Sequence, residues 1–156
     1  MIILKKVCTF IIALFLVSCN KSNEVKISEI NQYDYKDIIQ LIINKEEIFS
    51  FANDSYYVYF YKENCSHCNS IKQTIIKEAV KRNDIYFFDD TGDILKVKDL
   101  KNPIIGISKS EDIFIYGTPM LINVEYGAIS SFYLGTEQII NFLDQQWLVL
   151  LLAINI

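Results

Sequence analysis

The stretch from residue 55 to residue 82 constrains the fold of this chain more than any other. It begins with seven residues dense in aromatic and β-branched side chains, SYYVYFY, which is typical of a buried strand. The pair Cys65 and Cys68 follows shortly afterwards. The apolar residues beyond the pair recur at the spacing of one helix face: Ile71, Ile75, Ile76, Ala79 and Val80. The sequence therefore places the two cysteines where a strand turns into a helix.

Three further strands are predicted after this helix. Residues 85–88, IYFF, form a short strand, and a strand, a helix and a strand in this order form a right-handed crossover with parallel strands. Residues 120–124 and 129–134 flank a turn at Tyr126-Gly127, which indicates a hairpin. The pattern predicts an α/β fold with a central mixed sheet flanked by helices.

Two more helices are predicted near the ends of this region. From Tyr33 to Phe51, apolar residues recur at near-helical spacing, with Asp34 and Asp37 early and Lys45 late, as the helix dipole favours. A last helix starts at residues 135–137, where Thr136 is the predicted N-cap. Its inward residues are predicted to be Ile139, Ile140, Phe142 and Leu143.

The segment from residue 91 to residue 113 has a weaker pattern. Four apolar residues there are compatible with a short helix: Ile94, Leu95, Val97 and Leu100. Asn102-Pro103 ends that helix, and residues 104–108 form either an extra strand or a packed loop. We expect an insertion at residues 91–112 that influences the choice of substrate.

The first nineteen residues differ in character from the rest. Lys5 and Lys6 precede an apolar run from Val7 to Val17 that is short for a transmembrane helix, which indicates an export signal. The run ends in Leu16-Val17-Ser18-Cys19, which resembles the lipobox of bacterial lipoproteins. The resemblance implies cleavage before Cys19 and lipidation of its thiol. The alternative is a buried thiol in an uncleaved anchor.

Composition and charge then bound the rest of the chain. With 156 residues and 51% apolar content, the chain can bury one core, so we expect a single folded domain. Loss of two lysines with the signal changes the net charge from −4 to −6, which argues against a nucleic-acid partner. The predicted segments are a signal peptide (1–18), a lipidated tether (19–32), the folded domain (33–146) and an apolar tail (147–156). The tail either continues the last helix or forms a patch for a membrane or partner.

The cysteine pair is the main candidate for chemistry. Lipidation of Cys19 and loss of Cys8 leave Cys65 and Cys68 as the thiols of the mature chain. At a helix start, unpaired N–H groups and the helix dipole favour the thiolate of Cys65, the form that attacks disulfides. Cys68 then lies within reach to resolve the mixed disulfide. A zinc site lacks a second ligand pair, and a structural disulfide across so short a loop adds little stability, but both stay open.

A second motif, Gly117-Thr118-Pro119-Met120, precedes the hairpin. Together with the CxxC and the order of elements, it resembles the thioredoxin family over about residues 33–146. The resemblance implies a thioredoxin-like fold with Pro119 in the cis form opposite the CxxC. It also implies that Thr118 and Pro119 bind an extended substrate, and it implies no dissociable cofactor and no metal.

The two residues between the cysteines, Ser66 and His67, are expected to tune the reduction potential. A hydrogen bond or positive charge from His67 near the Cys65 thiolate stabilises the reduced form, and oxidase-like and isomerase-like members often carry histidine here. The chain also departs from the family pattern. Asn64 replaces a frequent tryptophan, and Tyr59 stands where many members bury a carboxylate that deprotonates the second cysteine. Glu63 is expected to be solvated.

The sequence thus predicts a lipid-anchored thiol-disulfide oxidoreductase on the extracytoplasmic side of a bacterial cell membrane. Its partners would be protein thiols or disulfides and a membrane or extracytoplasmic redox partner. A weaker resemblance links the chain to bacteriocin-transport accessory proteins. The alternative function is a thioredoxin-fold module that binds a peptide or partner with little redox turnover, which the tyrosine at position 59 favours. The direction of electron flow stays open.

Overall fold

The computed structural model describes the backbone of residues 33–154 and the side chains of residues 33–146. The predicted signal peptide, the tether and Cys19 lie outside the described residues and stay predictions. The side chains of the predicted apolar tail, from residue 147 onward, also lie outside them.

The described residues contain a sheet of four strands, a separate ribbon of two short strands, and four helices. The strands are β1 (Ser55–Tyr61), β2 (Ile85–Asp89), β3 (Lys96–Val97), β4 (Phe114–Ile115), β5 (Met120–Glu125) and β6 (Ala128–Leu134). The helices are two 3₁₀ helices (Tyr35–Leu41 and Lys45–Phe49) and two α-helices, α1 (Ser66–Arg82) and α2 (Gly135–Ile154).

The sheet has the strand order β2-β1-β5-β6. Strands β1 and β2 are parallel, as a strand–helix–strand unit requires, and β5 is antiparallel to both β1 and β6. This mixed sheet, with the CxxC helix α1 between its parallel strands and the hairpin β5–β6 before the last helix, is thioredoxin-like. The predicted fold class is confirmed.

The two faces of the sheet are covered differently. Alternate side chains of β1 point to opposite faces, so Tyr59 and Tyr61 pack with α1 and α2, whereas Val58 and Phe60 pack on the other side. That second side is covered by the second 3₁₀ helix and by buried residues of the segment 91–115 rather than by an α-helix. The segment with the weakest sequence pattern thus closes one of the two cores.

The prediction of one helix from Tyr33 to Phe51 is wrong. Asp34 and Asn44 each cap a short 3₁₀ helix with a reciprocal capping box, and the chain between the two helices is extended. There Ile42 forms a parallel bridge with Phe87, and the Ile43 N–H donates to the Phe87 carbonyl at 2.8 Å. Pairing with the free edge of β2 therefore interrupts the helix.

In the segment 93–113 the predicted short helix is absent, and of the two alternatives for residues 104–108 the structure shows the packed loop and not the strand. Leu95 and Ile104 are buried, but their spacing does not fit one helix face. The loop after Ile104 runs beside β6. There the Gly106 N–H donates to the Ile129 carbonyl at 2.8 Å, and the Ile129 N–H donates to the Ile107 carbonyl at 2.9 Å. Hydrogen bonds to a distant strand hold this loop, which a local pattern does not reveal.

The remaining elements follow the sequence closely. Tyr126 and Gly127 have φ angles of 50° and 78°, so the hairpin closes with the two left-handed residues of a type I′ turn. In α1, Val80 is exposed although its helix position predicted an inward side chain. In α2, three of the four predicted inward residues are buried and Ile140 is partly buried.

Helix α2 continues past residue 146 to Ile154, so the predicted domain boundary at residue 147 falls within a helix. No helix in the described part of the chain is both long enough and apolar enough to cross a membrane.

Candidate active site

The site begins at the N-terminus of α1, where Cys65 is the N-cap residue. Its sulfur accepts a hydrogen bond from the Cys68 N–H at 3.1 Å and is joined to the Cys68 sulfur in a disulfide. Cys65 is half-buried, whereas Cys68 is fully buried beneath the first turn of the helix. An attacking group from outside the protein therefore reaches the sulfur of Cys65 and not that of Cys68.

The Gly117-Thr118-Pro119 turn lies directly beside this disulfide. The Cys65 sulfur is 3.6 Å from the carbonyl oxygen of Thr118, and the Thr118–Pro119 peptide bond is cis, as predicted. In the dithiol form the Cys65 thiol can donate a hydrogen bond to this carbonyl. Residues that are more than fifty positions apart in sequence thus meet at one point.

A surface groove of about 460 Å³ adjoins the turn. It lies between the first turn of α1, the turn that precedes β5, and the start of α2. The residues that line it are His67, Gly117, Thr118, Pro119, Leu134, Gly135, Thr136, Glu137 and Gln138. Three of the predicted site residues, His67, Thr118 and Pro119, therefore share one cavity.

The residues between the cysteines face solvent. Ser66 and His67 are both exposed, and the His67 imidazole makes no hydrogen bond within the described residues. The His67 carbonyl accepts the hydroxyls of Ser70 at 2.7 Å and of Thr136 at 3.3 Å. The backbone of the CxxC is thereby linked to α2, while the imidazole is free to contact a substrate.

The contact with His67 also shows that the predicted N-cap role of Thr136 is wrong. Helix α2 begins one residue earlier, at Gly135, whose φ of 78° suits a glycine. At this end of the helix the Gln138 side chain accepts the Leu134 N–H at 2.9 Å. The Thr136 hydroxyl is therefore used between helices rather than as a cap.

Tyr59, at the position where the family resemblance led us to look for a buried carboxylate, is fully buried in β1. Its hydroxyl and that of Tyr35 are buried and lie close enough to influence each other's pKa, but neither makes a well-formed hydrogen bond. Burial raises the pKa of both phenols well above the ordinary value of 10.0. Tyr59 is thus neutral at physiological pH and supplies no negative charge to the core beneath the cysteine pair.

The loop just before Cys65 is held by the turn that follows β2. The Glu63 N–H donates to the Thr91 hydroxyl at 2.9 Å, and that hydroxyl donates in turn to the Asp89 carboxylate. The Cys65 N–H donates to the Lys62 carbonyl at 3.2 Å. A chain of hydrogen bonds therefore runs from the end of β2 into the loop that carries the half-buried cysteine.

An ion pair reinforces the same loop. The Asp90 carboxylate is completely buried, accepts the Leu95 N–H at 2.7 Å and lies 3.5 Å from the ammonium of Lys62. Lys62 also contacts Asp93, and hydrogen bonding to Asp93 raises the pKa of the lysine. The charge of the buried carboxylate is compensated by a lysine three residues before the cysteine.

Sequence reasoning did not single out Lys62, Asp90 or Thr91. The signal was available, because the carboxyl ends of parallel strands meet at one edge of a sheet, and the CxxC follows β1 at that edge. The turn after β2 was therefore bound to lie beside the cysteines.

The sheet order, the disulfide at the start of α1 and the cis-proline beside it define the class of this protein: a thioredoxin-like fold that carries a CxxC disulfide. No protein-family model matches the chain, and no curated protein sequence matches it.

Among solved structures, the chain is similar to thioredoxin f2 of Chlamydomonas reinhardtii, with 15% identity, a TM-score of 0.42, and coverage of 68% of this chain and 94% of that one. It is also similar to mitochondrial thioredoxin 3 of Saccharomyces cerevisiae in its oxidized form, with 15% identity, a TM-score of 0.39, and coverage of 58% and 74%. A third similar structure comes from work on the thiol resolving mechanism in yeast mitochondrial 1-Cys peroxiredoxin, with 15% identity, a TM-score of 0.37, and coverage of 55% and 70%. The topology described above, rather than these scores, defines the fold class.

Proposed function

We propose that this protein is a thiol-disulfide oxidoreductase that works through a Cys65/Cys68 dithiol-disulfide couple on cysteines of exported proteins. One observation carries the proposal. The accessible sulfur of the pair, on Cys65, lies 3.6 Å from the Thr118 carbonyl at the wall of an open groove, while its partner Cys68 is buried. A purely structural disulfide needs no groove beside its exposed sulfur.

The roles follow from this difference in access. In the dithiol form, the Cys65 thiolate attacks a substrate disulfide, and a Cys65–substrate disulfide forms as one substrate sulfur leaves as a thiolate and takes up a proton. Cys68 then loses its proton and attacks the Cys65 sulfur. The second substrate sulfur leaves and is protonated, so the substrate gains two electrons from the protein and two protons, one released by Cys68 and one taken from solvent. The reverse sequence oxidises a substrate dithiol.

The first test is the equilibrium reduction potential of the purified protein against glutathione. A potential well above about −200 mV would assign the oxidase or isomerase direction, and a value near about −270 mV or lower would assign the reductase direction. The Cys65→Ser/Cys68→Ser double variant is the control, and it should lose all exchange. If the Cys65/Cys68 pair exchanges with no dithiol at any potential, the proposal is excluded.

A second candidate function is a binding module that keeps the groove but has little redox turnover. The neutral, buried Tyr59 favours it, because no carboxylate at this position can accept the proton of Cys68. The double cysteine variant separates the two functions. A binding module keeps its partner and its cellular role without the cysteines, whereas an oxidoreductase loses the role.

The proposed location is the extracytoplasmic face of a bacterial cell membrane, with a lipid on Cys19 as the anchor. It is supported by the export-signal pattern and the lipobox-like Leu16-Val17-Ser18-Cys19, and by the loss of other cysteines from the mature chain. The electron donor or acceptor would then be a membrane or extracytoplasmic redox partner. Replacement of Cys19 by alanine tests the anchor, because lipid labelling of the protein should disappear; unchanged labelling would refute it.

A further inference from the structure

Some polar groups that line the groove beside the disulfide already form hydrogen bonds within the protein, and others do not. The Thr136 hydroxyl donates to the His67 carbonyl, and the Gln138 side chain accepts the Leu134 N–H. These two groups already hold parts of the protein together, although the Gln138 amide N–H groups and the Thr136 oxygen can still bond a ligand. Two of the remaining lining residues, Gly117 and Gly135, have no side chain to offer.

Glu137 is the exception among these residues. It lines the groove, is exposed in the first turn of α2, and its carboxylate makes no hydrogen bond or ion pair within the described residues. No lysine or arginine lines the groove to neutralise it. The groove therefore presents a carboxylate with no lysine or arginine partner, and no ion pair joins it to His67, the one lining residue that can carry a positive charge. The same groove is lined by Thr118, whose carbonyl lies 3.6 Å from the Cys65 sulfur.

A second cleft provides a contrast, because its Lys72 and Gln73 side chains already have partners within the protein. It measures about 530 Å³ and lies beside the first 3₁₀ helix. There the Lys72 ammonium pairs with the Asp34 carboxylate at 2.5 Å, and the Gln73 side chain bonds the backbone of Tyr33 at both its N–H and its carbonyl. The Asp34 carboxylate in that cleft is thus paired, whereas the Glu137 carboxylate in the groove at the disulfide is not.

An unpaired carboxylate in a groove attracts a cation, and a partly enclosed groove screens that attraction less than open water does. The remaining walls are apolar or backbone, from Leu134, Pro119 and the glycines, and suit an extended peptide. We propose that Glu137 selects substrates that carry a lysine or arginine close to the reacting cysteine. The inference rests on the proposed function, since it names the substrate class of the same groove.

The test measures how fast short cysteine peptides reduce the oxidised, wild-type protein. A peptide thiolate attacks the Cys65 sulfur, Cys68 leaves as a thiolate and is protonated, and a second peptide thiolate then releases Cys65 and forms a peptide disulfide. Three peptides are compared, identical except for lysine, norleucine or glutamate next to the cysteine. The reaction is quenched in acid, free thiols are alkylated, and the reduced fraction of the protein is measured by mass spectrometry.

The neighbouring charge also changes the reactivity of the peptide thiol itself, so each rate is divided by the rate of the same peptide with an uncharged disulfide, bis(2-hydroxyethyl) disulfide. After this correction the lysine peptide should exceed the glutamate peptide by about two- to fivefold, the range of a partly exposed ion pair. The preference should shrink at about 1 M salt, where the screening length falls to about 3 Å.

The variant Glu137→Gln isolates the groove, because it keeps the size of the side chain and removes its charge. In this variant, the ratio of the corrected rates of the lysine and glutamate peptides should fall close to one. The matched control is Glu111→Gln, which removes the same charge from a different cleft and should leave the preference intact.

Two results would overturn the inference. Equal corrected rates for the lysine and glutamate peptides would refute it while leaving the oxidoreductase function standing. Failure of all three peptides to reduce the protein, together with failure of the pair to exchange with any dithiol, would refute the oxidoreductase function and the inference with it.

Discussion

At the scale of single residues, the most consequential departure from expectation concerns the tyrosines beneath the cysteine pair. Tyr59 and Tyr35 place two hydroxyls in a core where they lie near each other but neither makes a well-formed hydrogen bond. Burial of an unsatisfied polar group costs free energy that an apolar group of the same shape avoids.

We therefore expect the double variant Tyr35→Phe/Tyr59→Phe to be at least as stable as the wild type, with a gain of up to about 1 kcal/mol in the free energy of unfolding. Denaturant titration measures it. Tyr56→Phe is the matched control: the Tyr56 hydroxyl donates to the Ile48 carbonyl at 2.9 Å, so its loss should cost about 1 kcal/mol. A double variant that loses more stability than this control would show that the two hydroxyls are satisfied after all.

Four of the predicted site residues were marked by a motif in the sequence. Cys65, Cys68, Thr118 and Pro119 were found from the CxxC and from the proline ahead of the hairpin, and the structure brings them together. Glu137 was seen only as part of a helix start. The shape of the groove depends on three separate elements, so a local pattern could not show that Glu137 lines the same groove as Thr118 and Pro119.

At the scale of elements, the loop from Lys62 to Asn64 depends on a turn from another strand. Thr91 joins the two, since its hydroxyl accepts the Glu63 N–H at 2.9 Å and donates to Asp89. Because this loop leads directly into Cys65, its order bears on how the nucleophile is presented.

Thr91→Val removes the hydroxyl and keeps the volume, so we expect faster hydrogen exchange at the Glu63 amide and a loss of about 1 kcal/mol in the free energy of unfolding. Thr91→Ser keeps the hydroxyl and should stay closer to the wild type in both measurements. Amide exchange followed by NMR and denaturant titration provide the two readouts. If valine and serine gave the same Glu63 exchange rate, the hydroxyl would not be holding the loop.

Elements with a strong local signal were predicted correctly, and the others were decided by distant contacts. The aromatic run of β1 and the Tyr126-Gly127 turn specify their own conformations. The stretch around Ile42 carries a helical spacing, but it gains more from pairing with Phe87 than from continuing a helix. Neither the helix propensity nor the hydrophobic periodicity of this stretch indicates that it pairs with Phe87.

At the scale of the whole molecule, the two cores on opposite faces of the sheet hold an unusual share of tyrosine. Tyr35, Tyr59 and Tyr61 lie in the core under α1 and α2, and burial raises the pKa of all three above 10.0. These phenols ionise more easily in the unfolded chain than in the folded one.

Linkage then fixes the sign of the pH dependence. The contribution of these tyrosines to stability is fully present below the unfolded phenol pKa of about 10 and is lost progressively as the pH rises beyond it. We expect the free energy of unfolding to fall between about pH 9 and about pH 11, and tyrosinate absorbance from the buried rings to appear together with unfolding. The Tyr35→Phe/Tyr59→Phe variant should show a smaller fall. An equal fall in wild type and variant would assign the alkaline loss to other groups.

The position of the hairpin turn gives the molecule two functionally separate ends. Strand β5 starts beside the groove, directly after Pro119, and runs to Glu125 before the exposed Tyr126 turns the chain back. Six residues of strand put roughly 20 Å between that tip and the disulfide. The tip is thus a suitable attachment site. A dye, a spin label or a surface linker attached there would leave the reactive sulfur accessible to large partners.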